Sequence, residues 1–230
     1  MKEGPILFNG EMVRAILEGR KTQTRRTMKS QPSRDTRGTM SKVFPANANF
    51  DDGRAVYRCP SGKPGDRLWV RETWRPYSWY PNEWTVQFKA DNKVSDIAIP
   101  DTLKGLDWHD RLIEQLSDEC ISAGMELDDD GLFQWDGVDN PIKWRPSIHM
   151  PRWASRITLE VTDVRVQRVQ EISEEDAQAE GVIQSCACSP DQEWNYRGGF
   201  LSLWHSIYAK HGFGWDVNPW VWAITFGRVN

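Results

Sequence analysis

The sequence contains few cysteines and histidines and has no long apolar run. Its 230 residues include four of each, too few cysteines for a disulfide-stabilised secreted scaffold, and this fits a reducing compartment. No apolar run approaches the roughly 20 residues that a membrane-spanning helix needs. Residues 1–5 lack the apolar stretch of a signal peptide. We therefore expect a cytoplasmic protein that does not enter the membrane.

The possible metal ligands are poorly spaced for a metal site. One residue separates Cys186 from Cys188, whereas zinc knuckles use two intervening residues together with further Cys or His ligands. Residues 126–131 resemble the start of a calcium-binding loop, but its twelfth position is Gly137 in place of a bidentate glutamate. The sequence therefore predicts neither a metal ion nor a cofactor.

The net charge of −4 hides an uneven distribution of charge. Residues 91–140 carry 14 acidic and three basic side chains, a net of −11, so the remaining residues carry +7. A basic body can bind polyanions through its local field even when a separate acidic segment cancels the total. The alternative is that the acidic segment is only a soluble insertion.

Tryptophan is unusually frequent, with 13 copies in the chain. Most should lie in the core, because tryptophan buries a large apolar area. The aromatic plane of a tryptophan near the edges of the insertions could instead stack on a nucleic-acid base. On that basis Trp69, Trp74 and Trp153 are candidates for ligand binding.

The segment from Gly19 to Arg26 concentrates one lysine, two threonines and three arginines in eight residues. It follows a predicted helix that begins after Asn9 as N-cap and ends at Gly19. A lysine near a hydroxyl can favour an alkoxide nucleophile, and arginines can bind a phosphate or carboxylate in bidentate fashion. The alternative is a polar edge strand whose arginines are only solvated.

Hydrophobic periodicity predicts further elements along the chain. A strand of mixed polarity is predicted at 67–71, after the turn residues at 61–66. Alternation predicts a strand at 85–90, and period-two alternation with β-branched residues predicts strands at 157–161 and 164–169, separated by Thr162 and Asp163. Helical spacing of apolar residues predicts a helix within 107–124 and another that carries Phe200 and Tyr208 and ends at Gly212. A final apolar strand is expected at 220–226, and residues 28–56 should form a long surface loop.

A short helix is predicted at 174–180. Ser173 is its N-cap, Asp176 occupies the N3 position and Gly181 ends it. Glu180 then lies in the last turn, where the helix macrodipole disfavours a negative charge. This placement is unusual for a purely structural carboxylate.

Several motifs in order resemble the ASCH superfamily, in the long form found in phage and prophage proteins. The Gly-Arg-Lys-Thr-x-Thr-Arg core at 19–25 resembles the opening of these domains, and the Gly-Asp turn and strand at 62–74 resemble their next landmark. Residues 143–156 and the Asn-Pro-Trp-Val-Trp end at 218–222 continue the pattern. The resemblance implies an α+β fold: a PUA-like mixed β-barrel flanked by short helices, forming a single domain over 1–230 with insertions at about 28–56 and 76–141.

The resemblance also implies a site. Some small members of the superfamily are amidohydrolases that remove the acetyl group from acetylcytidine with a lysine, a threonine and a glutamate. The matching positions are Lys21, Thr24 and Glu180. Thr24 would attack the amide carbonyl, Lys21 would accept the proton or stabilise the alkoxide, and Glu180 would handle protons at the leaving amine.

This trio can converge only if the chain leaves the first helix irregularly. In a regular strand, side chains at positions 21 and 24 point to opposite faces. A bulge or an irregular turn around Thr22 and Gln23 would be needed, and Gly19 makes such an exit plausible.

Three function classes are open at this stage. The first is a hydrolase that acts on a modified nucleoside or acylated base, the second a non-catalytic module that binds RNA or a nucleotide, and the third a phage structural or assembly protein. Ligand-binding candidates beside the trio are arginines, tryptophans and one glutamate: Arg20, Arg25, Arg26, Trp69, Glu72, Trp74, Arg152 and Trp153.

Overall fold

The structure of the chain is a computed structural model. It describes residues 1–29, 31, 49–51, 54–56, 58–80, 83–97, 107–135, 140–185 and 194–229. The strands are β1 (Glu3–Leu7), β2 (Gln23–Thr27), β3 (Asn49–Asp51), β4 (Arg54–Val56), β5 (Arg67–Arg71), β6 (Trp74–Tyr80), β7 (Glu83–Phe88), β8 (Val94–Ile97), β9 (Thr158–Arg168) and β10 (Trp220–Arg228). The α-helices are α1 (Gly10–Leu17), α2 (Asp107–Ser122), α3 (Glu174–Ala179) and α4 (Tyr196–Tyr208). The fold is α+β, as expected.

Five strands form the main sheet, in the order β1-β5-β9-β10-β2. The strand β10 lies between β9 and β2 and pairs antiparallel with both, so that Ile224 lies opposite Thr24 and Val164. A second sheet has three antiparallel strands in the order β6-β7-β8, and β3 pairs with β4 in a two-stranded ribbon. Closure of the main sheet into a barrel stays a prediction.

The predicted break at Thr162 and Asp163 is wrong, because β9 is one continuous strand. Its register against β10 shifts at this point: Thr225 lies opposite Asp163, whereas the next residue, Phe226, lies opposite Val161. One strand therefore accommodates an extra residue without ending, which is a β-bulge. Two polar residues in an otherwise alternating run mark an irregularity inside the strand and not its end.

The predicted surface loop at 28–56 is partly wrong, because β3 and β4 lie within it and pair with each other. Most of the rest of the 28–56 segment lies outside the described residues. So do Cys186 and Cys188, farther along the chain. Among the helices that are described, none is long and apolar enough to cross a membrane.

The capping predictions for α1 and α3 are confirmed. The Asn9 side chain accepts a hydrogen bond from the backbone N–H of Met12 at 2.9 Å, and Ser173 accepts one from Asp176 at 3.1 Å. Such bonds satisfy amides in the first turn that have no helical partner. Gly181 follows α3 with a φ of 75°, the left-handed conformation that ends many helices.

The chain divides into two compact units. The first consists of residues 1–4, 15–68 and 157–230, and the second of residues 5–14 and 69–156. In the first unit, α3 and α4 pack around a core that includes Val169, Ile172, Phe200, Trp204 and Val221. In the second, one core forms around Trp74, Phe88 and Met150, and another around Trp84, Leu116 and Ile142. The single-domain interpretation stays a prediction.

Candidate functional site

The exit from α1 is irregular, as the sequence required. Gly19 adopts a φ of 74°, and the backbone N–H of Lys21 returns to the carbonyl of Ala15 at 3.0 Å. Lys21 then forms an isolated antiparallel bridge with Glu180, before β2 begins at Gln23. This backbone pairing brings the end of α3 against the start of β2.

The Lys21 ammonium group is completely enclosed. Its side chain is 0% exposed, and Nζ donates to the Glu180 carboxylate at 2.8 Å, the Glu180 carbonyl at 2.9 Å and the Gln23 carbonyl at 2.8 Å. An ammonium has three N–H donors, so these three acceptors use its full capacity. A cation at the C-terminal end of α3 also offsets the unfavourable position of Glu180 in the macrodipole.

Arg25 occupies the other side of the same carboxylate. Its Nη1 donates to Glu180 at 3.1 Å and to the Gln23 side chain at 2.6 Å, and its Nη2 donates to Asp176 at 2.7 Å. When the side-chain amide of Gln167 is placed with its oxygen toward Arg25, that oxygen accepts a hydrogen bond from Nη2 at 2.9 Å. The guanidinium group therefore binds the carboxylate of Asp176 in α3 and that of Glu180, the residue that caps the C-terminal end of α3.

Burial sets the electrostatics of this network. Burial lowers the pKa of Lys21, and the adjacent Glu180 carboxylate opposes that shift. At Asp176, burial disfavours the charged form, but the guanidinium groups of Arg25 and Arg165 outweigh it and lower the pKa of the carboxyl. The network therefore holds charges of both signs in a largely dry environment.

Thr24 points away from this network. Gln23 and Arg25 direct their side chains to α3, and side chains alternate along a strand, so the Thr24 hydroxyl faces the opposite side of β2. Thr24 is 3% exposed and lies opposite Ile224. The structure thus brings Lys21 and Glu180 together through side chains, while Thr24 remains a predicted member of the site.

The neighbouring arginines have separate positions. Arg20 is exposed and binds Glu18 and the Gly181 carbonyl, the latter at 2.9 Å. Arg26 is half-buried and lies opposite Trp222 in the sheet. Of the three arginines in the segment, Arg25 joins the buried network.

In the second unit, Glu72 is part of a buried ion-pair cluster. Arg156 donates two hydrogen bonds to Glu72, both at 2.9 Å, and two to Asp91 at 2.9 and 3.0 Å. Burial raises the pKa of Glu72, and the Arg156 guanidinium opposes that shift. Both carboxylate oxygens of Glu72 are thus bound within the protein, and its predicted ligand-binding role stays untested.

Trp69 also belongs to the second unit. It is 8% exposed, and the Arg71 guanidinium lies 4.7 Å from the centre of its ring. This cation–π contact occupies part of the aromatic surface. The predicted role of Trp69 in ligand binding stays a prediction.

A cavity of about 680 Å³ in the second unit unites three predicted ligand-binding residues, Trp74, Arg152 and Trp153. The other lining residues come from α2 and from the segment that precedes Arg152: Arg111, Leu112, Gln115, Arg145, His149 and Pro151. Among the described residues, this lining contains three arginines and no carboxylate. It combines cationic groups with aromatic and aliphatic walls.

Two walls of this cavity are held by backbone pairing. Trp74 and Arg145 form an isolated antiparallel bridge with hydrogen bonds of 3.2 and 2.7 Å. The Arg145 guanidinium lies 6.0 Å from the Trp74 ring and 3.4 Å from a Glu119 oxygen. The rings of Trp74 and Trp153 are 5.8 Å apart and nearly perpendicular. The site is therefore built on paired backbone segments.

Sequence reasoning missed several residues of both regions. Asp176 was assigned only a helix-terminal position, although its spacing of four from Glu180 predicts a shared helix face. Gln23 has the same strand parity as Arg25, which predicts a shared face of β2. No local signal in the sequence marks Arg111, Arg145 and His149 as cavity residues. Residues 111 and 145 are far apart in the chain, and only the fold brings them to the same cavity.

Metal ligation has no support in the described part of the chain. No group of three or more His, Cys, Asp or Glu side chains there is placed to hold a metal ion. Comparison of the chain with protein-family models, with curated proteins and with solved structures finds no match.

Proposed function

We propose that the protein is a non-catalytic module that binds RNA or a nucleotide in the cavity of its second unit. The observation that carries this proposal is a lining with three arginines and two tryptophans around about 680 Å³. Pockets that hold small molecules occupy roughly 300–1,000 Å³. Arginine binds phosphate in bidentate geometry, and tryptophan stacks on nucleobases.

The charge of the surrounding segment adds support. Arg111 is one of three basic residues among residues 91–140, a segment with 14 acidic side chains. It nevertheless lines the same cavity as Arg145 and Arg152, which lie outside that segment. A lining that is cationic without a carboxylate provides a local positive field for an anionic group, even though the segment that contributes Arg111 is acidic overall.

The test is titration of a fluorescent single-stranded RNA and of nucleoside monophosphates at two salt concentrations. Arg111 and Arg152 are exposed, so Arg111→Ala and Arg152→Ala should fold normally. Each should weaken binding about tenfold or more, since a charge-assisted hydrogen bond contributes about 1.5–3 kcal/mol. The slope of log affinity against log salt should fall by about 0.7 for each lost phosphate contact on a single strand.

Lys93→Ala is the matched control, because Lys93 is an exposed cation of the same unit that does not line the cavity. It should leave affinity within about twofold, as expected for a charge that only adds to the general field. If wild-type protein binds neither RNA nor nucleotides at low salt, or if the three variants weaken binding equally, the proposal is wrong.

A second candidate function is hydrolysis of an acylated nucleoside by Lys21, Thr24 and Glu180. Its support is the buried Lys21–Glu180 pair at 2.8 Å and the lowered pKa of Lys21, since perturbed ionisable pairs are enriched at catalytic sites. For catalysis, the Thr24 hydroxyl would have to reach this pair, which requires a rearrangement of β2.

Turnover of acetylcytidine tests this second candidate. Thr24→Val removes the hydroxyl at nearly constant volume and should lower turnover by about 100-fold or more if Thr24 is the nucleophile. Thr24→Ser retains a hydroxyl and should restore much of the rate. Equal rates for wild type and Thr24→Val, or no turnover by wild-type protein across acylated nucleosides, would exclude the hydrolase.

We also propose that the chain is an ASCH-superfamily protein with a PUA-like barrel and that it works in the cytoplasm. The support for the family is the Gly-Arg-Lys-Thr-x-Thr-Arg segment, which begins after a capped helix and leads into an edge strand of the five-stranded sheet. The support for the compartment is that Cys59 and Cys120 are free thiols.

A further inference from the structure

An apolar groove in the second unit takes no part in the proposed nucleotide binding. It has a volume of about 330 Å³ and shares no described lining residue with the cavity of about 680 Å³. Its described lining comes from β6, α2 and the segment 127–135, and it contains no charged side chain. Most of the walls are aliphatic or aromatic, among them Ile113, Ile121, Leu127, Leu132, Phe133 and Trp135.

Three aliphatic side chains of this groove are exposed to water. The exposed fraction is 60% for Ile121, 57% for Leu127 and 37% for Leu132. Single exposed aliphatic residues are common on protein surfaces, whereas several in one concave patch are typical of an interaction site. The Phe133 and Trp135 rings beside them pack against the core around Trp84, Leu116 and Ile142. The groove is therefore an extension of a core that the described part of the chain leaves open.

Hydrogen bonds hold the two exposed leucines in place. Leu127 and Phe133 form an isolated antiparallel bridge, and the backbone N–H of Asp128 donates to the Leu132 carbonyl at 2.9 Å. The Asp128 carboxylate accepts from the Leu132 backbone N–H at 2.8 Å and from the Gln134 side chain at 2.9 Å. A surface that is ordered before binding loses less conformational entropy when a partner arrives.

The rim of the groove is acidic. Residues 112–135 include seven acidic side chains and no basic one. Glu119 and Asp128 bind groups within the protein, and the other five carboxylates are exposed: Glu114, Asp118, Glu126, Asp129 and Asp130. In α2, positions 114 and 118 lie about 100° around the helix from the groove positions 113 and 117. An apolar centre with a polar rim is the usual arrangement of a protein–protein interface.

We propose that this groove docks a basic segment of a partner protein, whose apolar side chains fill the groove while its lysines or arginines face the acidic rim. Charge complementarity selects this occupant, because the rim repels nucleic acids and anionic membrane surfaces. A small cation without an apolar part would leave the groove walls in water. Positions 113, 117 and 121 extend about 12 Å along α2, which suits a short segment. The inference does not depend on the proposed nucleotide binding.

The experiment titrates the full chain with three short fluorescent peptides and measures anisotropy. The first peptide places leucines at helical spacing among lysines. The second replaces its lysines with glutamates, and the third replaces its leucines with serines. The Leu–Lys peptide should bind at least about tenfold more tightly than either of the others, because it alone supplies both apolar area and positive charge. This comparison uses wild-type protein and does not depend on the folding of any variant.

Two pairs of variants then locate the bound peptide. Leu127→Ser should weaken binding of the Leu–Lys peptide about tenfold through loss of apolar contact. Ile148→Ser is its control, because Ile148 is 56% exposed in the same unit but does not line the groove. Glu114→Lys should weaken binding about fivefold by reversing a rim charge. Glu11→Lys makes the same change at an exposed position of α1, outside the groove, and both controls should stay within about twofold of wild type.

Several results would overturn the inference. One is the absence of Leu–Lys binding at low salt, and another is binding of the Leu–Glu or Ser–Lys peptide as tight as that of the Leu–Lys peptide. Equal losses for Leu127→Ser and Ile148→Ser would place the peptide elsewhere. Sedimentation of the protein alone tests a second copy as occupant: self-association that Leu127→Ser abolishes would show that the groove binds another copy of the chain and not a basic partner segment.

Discussion

Replacing Lys21 with methionine should destabilise the first unit far more than removal of a nearby exposed cation. Methionine fills a similar volume, but it leaves the buried carboxylate of Glu180 and two backbone carbonyls without the ammonium that now contacts them at 2.8–2.9 Å. Removal of one partner of a buried ion pair costs about 3–5 kcal/mol.

The lower end of this range applies, because Arg25 still contacts the other oxygen of Glu180 at 3.1 Å. A loss of about 3 kcal/mol in a chain of this size corresponds to a fall in the melting temperature of about 6–12 °C. Urea unfolding followed by tryptophan fluorescence and thermal unfolding followed by circular dichroism measure the two quantities.

Arg20→Met is the matched control. Arg20 precedes Lys21 in the chain and pairs with Glu18, but both side chains are about half exposed, and an exposed pair contributes about 0–1 kcal/mol. The double variant Lys21→Met with Glu180→Gln should lose less stability than the sum of the single changes, since no buried carboxylate remains uncompensated. A loss for Lys21→Met no larger than that for Arg20→Met would refute the structural role of the pair.

Three smaller changes test the same region. Gly181→Ala should lower the free energy of unfolding in urea by more than about 1 kcal/mol. The glycine has positive φ, and an added Cβ would lie 2.7 Å from Lys21 and 2.9 Å from Ala15. Gly212→Ala, also at positive φ but with open space around it, should cost less. Ser173→Ala should cost about 1 kcal/mol through loss of the N-cap, and a change below 0.3 kcal/mol would contradict the cap. The lowered pKa of Asp176 means that the folded state binds fewer protons at this group than the unfolded state does. The stabilisation by this carboxylate is therefore complete above pH 3.8, the ordinary pKa, and is lost as pH falls through the lower pKa of the folded state. In Asp176→Asn, the free energy of unfolding should depend less on pH in that window. A pH profile identical to that of the wild type would show that other groups dominate.

Local signals in the sequence predicted the helices near the network well. Ser173 and Gly181 bound α3, and Asn9 and Gly19 bound α1, because caps depend on backbone groups within a few residues. The position of β9 was predicted because the alternation of β-branched and polar residues is also a local pattern. Its continuity was not, because a bulge depends on pairing with β10, which comes more than 50 residues later in the chain.

The residues of the two candidate sites show the same difference between local signals and long-range contacts. The sequence by itself determined that Lys21 leaves a capped helix and that Glu180 ends another, since turn and cap chemistry are local. Only the tertiary structure decided that Arg25 and Asp176 join this pair, and that Trp74, Arg111 and Arg152 meet around one cavity. Contacts between residues far apart in the chain follow from strand pairing and burial, and the free energy of those interactions is not encoded in any single segment.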